Sequence, residues 1–207
     1  MKNTSSTTVT STDTICAPAT PDGQGGVGIV RVSGPDARKI AQSITGAVPK
    51  DRELQYRSFY NPSGMLVDKG LAVIFEAPNS YTGEDVLELH GHGGQYVQQN
   101  ILTTVLANGA RLATPGEFSE RAFLNNKIDL TQAEAIADII TANSNRGAML
   151  AAKTLNGEFS RQIHIFLQEL IALRVEIEAS IDFSDENIDF ISEKKSYPTI
   201  NNSSPSN

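Results

Sequence analysis

The chain has 207 residues, which at about 150 residues per domain is roughly 1.4 domains, enough for one core and too short for a complete two-domain nucleotide enzyme. Seventeen Lys and Arg against 24 Asp and Glu leave a net charge of −7 and a pI near 5.0. That balance argues against a stand-alone nucleic-acid binder, because phosphate attraction requires a basic surface. A single cysteine, Cys16, excludes an internal disulfide and a cysteine-cluster metal site.

The first thirteen residues are mostly Ser and Thr, with Lys2 and Asp13 the only charges. They contain neither an apolar signal-peptide core nor the arginines of a transit peptide, so residues 1–13 read as a disordered tail. With no disulfide and no secretory signal, a reducing cytoplasm is the default location. No stretch approaches the roughly 20 apolar residues of a membrane span.

Thr14–Ala19 and Gly28–Val32 then read as strands around a glycine-rich turn, Pro21–Gly26. Pro35–Thr45 reads as a helix with proline in its first turn. Gln55–Tyr60 and Leu71–Phe75 read as strands joined through Pro62-Ser63-Gly64. Asp85–His90 is a further strand, and Gly93–Ala107 a helix ended by Asn108-Gly109. Ala110–Ala113 is the last strand. Strands and helices alternate irregularly, which predicts an α+β fold rather than a strict parallel sheet.

After Pro115 the pattern becomes helical. Phe118–Leu124 reads as a short helix, followed by helices over Asp129–Thr141 and Arg146–Leu155. From Phe159, the residues Ile163, Phe166, Leu167, Leu170, Leu173, Ile177 and Ile181 form one apolar stripe on a long amphipathic helix. Such a stripe must be buried against another helix. Ser180–Ile191 is acidic and aromatic, and Lys194–Asn207 reads as a polar tail. The predicted division is a tail over 1–13, an α+β domain over 14–125, a partial helical domain over 126–191 and a tail over 192–207.

Two short motifs fail on their context. Gly23–Gly28 matches GxGxxG, but a strand-like run, Ile29–Val32, follows where a dinucleotide site needs a helix. Asn126-Lys127-Ile128-Asp129 matches the guanine-reading NKxD, yet no Gly-Lys pair exists to close a phosphate loop.

Other residues invite chemistry. Glu88, His90 and His92 alternate and share one face if their strand continues. They suit a metal, a ligand pocket or merely a glycine-flanked turn. Arg31 is a lone cation in an apolar strand. Its anionic partner is either Glu88 or a ligand carboxylate. Lys127 lies at a helix boundary, in a polar step with Asn125 and Asn126.

Several long blocks, in order, carry a resemblance. They are Asp13-Thr14-Ile15 leading into Ala19-Thr20-Pro21, then Gly25–Gly34 (GGVGIVRVSG), then Pro78–Leu89 (PNSYTGEDVLEL), then Gly91-His92-Gly93-Gly94. Pro115–Asn125 (PGEFSERAFLN), Lys127-Ile128-Asp129-Leu130 and Gln132–Asp138 (QAEAIAD) follow. From about Asp13 to Ile191 the chain resembles the tRNA-modification GTPases of the MnmE/TrmE family.

The resemblance implies an N-terminal domain similar to the tetrahydrofolate-binding fold of the glycine-cleavage T-protein. That domain would dimerise and bind 5-formyltetrahydrofolate as a one-carbon source. By motif position the family's folate contacts fall on Arg31, Glu88 and Lys127. A carboxylate such as Glu88 suits the paired N–H groups of a pterin edge. Either cation suits the glutamate tail or a formyl oxygen. With a flavoprotein partner of the MnmG/GidA type, the full proteins build an aminomethyl or carboxymethylaminomethyl group on C5 of the tRNA wobble uridine. GTP, Mg and K enter only with the full-length family. Its phosphate loop and its C-terminal Cys-x-Gly-Lys have no counterpart among these residues. The expectation is therefore a truncated member, or a non-catalytic dimerisation or interaction module, that meets tRNA only indirectly.

Overall fold

The computed structural model describes residues 13–21 and 23–182, without the side chain of Asp182. The expected tail over 192–207, most of the acidic Ser180–Ile191 segment and all of the expected tail over 1–13 except Asp13 lie outside the described residues; Asp13 is held by Arg111 and Arg121. Six strands, β1 (Ile15–Pro18), β2 (Gly25–Ser33), β3 (Gln55–Tyr60), β4 (Leu66–Phe75), β5 (Val86–Gly93) and β6 (Arg111–Leu112), form one sheet of order β3-β4-β5-β2-β1-β6. Only the β1–β6 pairing is parallel; the other four are antiparallel. Helices α1 (Ala37–Thr45), α2 (Gln95–Ala107), α3 (Glu117–Leu124), α4 (Leu130–Thr141), α5 (Asn145–Leu155) and α6 (Glu158–Asp182) are the helices among the described residues. The fold is α+β.

Period-two alternation decides which face of the sheet is core. Leu87 and Leu89 of β5, Val30 and Val32 of β2, Ala72 of β4 and Phe59 of β3 point to the face covered by α1 and α2. There they meet Ile40, Ala41 and Ile44, the apolar stripe of α1, and Ile101 and Val105 of α2. Cys16 belongs to this core, and burial pushes its thiol up to about 11, so it stays protonated at neutral pH. The intervening residues, Arg31, Glu88 and His90, stand on the opposite face.

Three strands, β2, β4 and β5, are longer than expected. β4 begins at Leu66, because Leu66, Asp68, Lys69 and Gly70 pair with β3 despite their turn-like composition. β2 begins at Gly25, because β5 runs on to Gly93 and pairs with it across an irregularity between Gly25 and Gly28. Both α1 and α2 begin two residues later than expected, at Ala37 and Gln95.

The chain divides into two compact units, Met1–Asn156 and Gly157–Asn207. In the first, α4 packs with α5. In the second, α6 is one continuous helix whose apolar residues keep about half of their surface exposed, as at Leu170 (49%).

Candidate functional site

Arg31 and Glu88 are direct neighbours across the β2–β5 pairing. The Nε and Nη2 atoms of Arg31 lie 2.9 and 2.8 Å from Oε1 of Glu88. The guanidinium also faces the Tyr81 ring at 5.6 Å and the Phe118 ring at 6.0 Å, so aromatic faces help to hold it. Oε2 of Glu88 lies 3.0 Å from Nε2 of His90. A carboxylate only accepts, so this nitrogen donates. Three of about four lone-pair positions on Glu88 are then occupied, and one on Oε2 is open.

These residues form one wall of a cavity of about 560 Å³ on the sheet face opposite α1 and α2. Phe75 and Val86 supply apolar surface, Tyr81 comes from the loop after β4, and Arg52 and Lys127 complete the lining. The structure thus brings Arg31, Glu88 and Lys127, distant in sequence, to one cavity.

Lys127 owes its position to the end of α3. Asn126 takes a left-handed φ of 56°, its N–H donates to the Phe123 carbonyl, and the Lys127 N–H reaches back to Ala122 at 2.8 Å. That pair of bonds is a Schellman termination, with Asn in place of the usual Gly. Asp129 then caps α4: its carboxylate accepts from the Gln132 N–H at 2.8 Å, and its own N–H donates to the Gln132 side chain at 2.9 Å. The NKxD match is therefore explained residue by residue as a helix stop, a cavity lysine and a helix start.

The stem of Lys127 crosses Gly83, where a Cβ would lie 3.3 Å from its Cγ and Cδ and 3.1 Å from Cβ of Asn125. Gly83 itself has φ of 80°, so glycine serves both conformation and space. Nζ of Lys127 donates to the Pro78 carbonyl at 2.8 Å.

The alternating Glu88, His90 and His92 do share a face of β5. They have different partners, however: His92 bonds Asp68 through both its N–H and its Nδ1, each at 2.8 Å. Burial works against ionisation of Asp68, but these two bonds and the Lys69 N–H hold its carboxyl below its ordinary value. The glycine-rich turn leads into a strand, not a helix. It lines a separate cavity of about 400 Å³ with Gln95 and Gln98 of α2.

Sequence reasoning missed two features. Arg52 is one, a third cation of the cavity that no motif marked. The other is an ion cluster under α3, buried at Arg121, Glu84 and Glu117 and half-exposed at Arg111 and Asp13. Arg121, 6% exposed, bonds Asp13, Glu84 and Glu117 at 2.8, 3.2 and 2.9 Å. Ser33 links Glu84 and Thr82 at 2.7 Å each. Arg111 grips Glu117 at 2.6 Å and Asp13 at 2.6 Å. The only sequence signal was the i,i+4 pair Glu117 and Arg121. The Arg111 hydrogen bond, followed by those from Thr114 and Arg121, outweighs burial and holds the Glu117 carboxyl well below the usual carboxylate range.

Fold and site together define a class: an α+β domain with a cationic cavity on one face of its sheet, followed by helices. Residues 14–127 match the family described as GTP-binding protein TrmE N-terminus, and residues 130–205 match the MnmE helical domain. The chain belongs to the MnmE/TrmE family. It is 56% identical over 190 residues to the tRNA modification GTPase MnmE of Coxiella burnetii (strain RSA 493 / Nine Mile phase I), covering 92% of this chain and 42% of that protein. It is 58% identical over 179 residues to the protein of the same name from Nitrosococcus oceani, covering 86% and 39%. Against that of Shewanella sp. (strain MR-7) the figures are 52% over 185 residues, 89% and 41%. The chain thus spans about two fifths of the length of the curated relatives it matches.

Proposed function

We propose that this chain contributes a folate-binding, dimerising module to tRNA wobble-uridine modification, with residues 14–125 as the folate domain and 126–191 as part of a helical domain. Arg31, Glu88 and Lys127 are its ligand contacts, and 5-formyltetrahydrofolate is the ligand. The bound folate supplies a one-carbon unit. GTP hydrolysis, with Mg and K, is an activity of the longer family proteins. The partners on this reading are a second copy of the chain and a flavoprotein of the MnmG/GidA type, with tRNA engaged indirectly, and the setting is the cytoplasm.

The observation that supports this reading is the convergence of the three residues on one cavity with the right chemistry. A volume of about 560 Å³ falls within the roughly 300–1,000 Å³ of small-molecule sites. Glu88 can accept an N–H bond from a pterin edge on Oε2 with its present bonds intact. Tyr81 and Phe75 offer ring faces, and the cations suit a carboxylate tail.

Calorimetric titration with 5-formyltetrahydrofolate tests the proposal. Saturable binding is expected, weakened roughly tenfold to a hundredfold by Arg31→Ala or Glu88→Gln, the cost of one or two charge-assisted bonds. A folded, dimeric sample that shows no heat of binding at millimolar ligand sinks it. Sedimentation of the same sample checks the dimer.

A further inference from the structure

We infer that Arg52, paired with Lys127, is the anion-binding end of the cavity and selects ligands by their glutamate tail. The inference rests on the folate reading and adds to it a residue and a direction.

The three cations of the cavity are not equivalent. Arg31 is neutralised by Glu88 at 2.8–2.9 Å and packed between Tyr81 and Phe118. Glu88 balances its charge, so it meets the ligand as part of a fixed, net-neutral pair rather than as the anion site. Arg52 and Lys127 instead donate to neutral acceptors, the carbonyls of Asn79 and Pro78. These acceptors are consecutive residues of one loop, and both cations line the same cavity. Two like charges brought together over neutral carbonyls favour an anion between them. Asp51 is the carboxylate beside Arg52, but it lies 3.7 Å from Nε, both side chains are at least 40% exposed, and its Oδ1 accepts the Glu76 N–H. A pair that long and that wet leaves most of the arginine's charge available.

The backbone at Arg52 points the same way. Its φ of 59° is left-handed, a conformation in which glycine or asparagine is at home and arginine is strained. The strain is imposed by the Arg52 N–H bond to the Ile74 carbonyl at 2.8 Å and the Asp51–Ile74 bridge. The side chain then lies over the Phe75 ring at 5.7 Å, in the cavity wall. An arginine kept where a smaller residue would relax the chain calls for a role of its side chain. The tail of a folate carries two carboxylates, which matches two cations. The pterin end is left to Glu88.

The test is a two-ligand titration of the 207-residue chain, using 5-formyltetrahydrofolate and a tail-free 5-formyl-tetrahydropterin. Arg52→Gly and Arg52→Asn are the variants, both compatible with the left-handed backbone. Each is expected to bind the tail-bearing ligand at least about tenfold more weakly, with affinity for the tail-free ligand unchanged and Tm not lowered. If either folded variant binds both ligands as the parent does, or loses both equally, Arg52 is not the tail contact. If the parent binds neither ligand, the folate reading falls and the inference with it.

Discussion

Two groups of charged side chains flank the loop between β4 and β5, and they are built on opposite principles. Under α3, the two cations Arg111 and Arg121 meet three carboxylates, Asp13, Glu84 and Glu117, a net −1. In the cavity, the three cations Arg31, Arg52 and Lys127 meet one lining carboxylate, Glu88, and a second, Asp51, set 3.7 Å from Arg52 at the rim, a net +1. In the first group the arginines bond carboxylates inside the protein, and the product is rigidity. In the second, two cations rest on neutral carbonyls, and the product is an attraction for anions. A chain of net charge −7 therefore keeps a local positive site. Total charge says little about what a single cavity recruits.

The comparison is broken most directly at Arg121. Arg121→Met leaves Glu84 buried without its cation, while Glu117 keeps Arg111, and stability should fall by about 3 kcal/mol, read from urea midpoints. Arg31→Met should cost only about 1 kcal/mol, since the Arg31 side chain is 32% exposed and water replaces part of the pair. Equal losses would erase the distinction between the ion cluster under α3, a clasp, and the cavity. The clasp also carries an acid signature. Glu117 has a folded pKa below its unfolded value, so its contribution is complete above about pH 5 and is lost as pH falls below about 4.3. In that range the unfolded chain binds more protons, and stability rises with pH. The stability gap between the parent and Glu117→Gln should shrink from about pH 6 to about pH 3. A gap independent of pH would remove Glu117 from the clasp.

Gly83 joins the two groups, next to Glu84 and under the stem of Lys127. Gly83→Ala places a Cβ 3.1–3.3 Å from Asn125 and Lys127 on a left-handed backbone, for a cost of about 1–2 kcal/mol. The same clash displaces Lys127, so binding of 5-formyltetrahydrofolate should weaken while the Arg31–Glu88 wall stays intact. Unchanged affinity would show that Gly83 does not position the lysine.

Local signals made most of this architecture legible. The helix over Pro35–Thr45 and the strand over Asp85–His90 were read from local signals, and the structure buries Ile40, Ala41 and Ile44 of the one and Leu87 and Leu89 of the other. The start of β4 was not legible, because Asp68, Lys69 and Gly70 carry no strand propensity and are held only by their partners on β3. Arg31, Glu88 and Lys127 entered through the resemblance, and their meeting in one cavity is a tertiary fact that spacing could not give. Arg121 and Glu84 escaped notice because charged residues are expected at the surface, and only their mutual pairing makes burial tolerable. Arg52 escaped because a left-handed arginine has no sequence signature.

The smallest expected effects separate helix punctuation from ligand reading in the Asn126–Asp129 step. Asp129→Ala removes the cap of α4 and should cost about 1 kcal/mol. Asn126→Gly should change stability by no more than about 0.5 kcal/mol, because glycine adopts the φ of 56° at least as easily and keeps the Schellman bonds of α3. Lys127 then stays over Gly83, and the folate titration should be unchanged. A large loss of ligand affinity in Asn126→Gly, with the fold intact, would mean that the asparagine side chain itself reads a ligand. The line between the residue that stops the helix and the residue that faces the cavity would then have to be redrawn to include both.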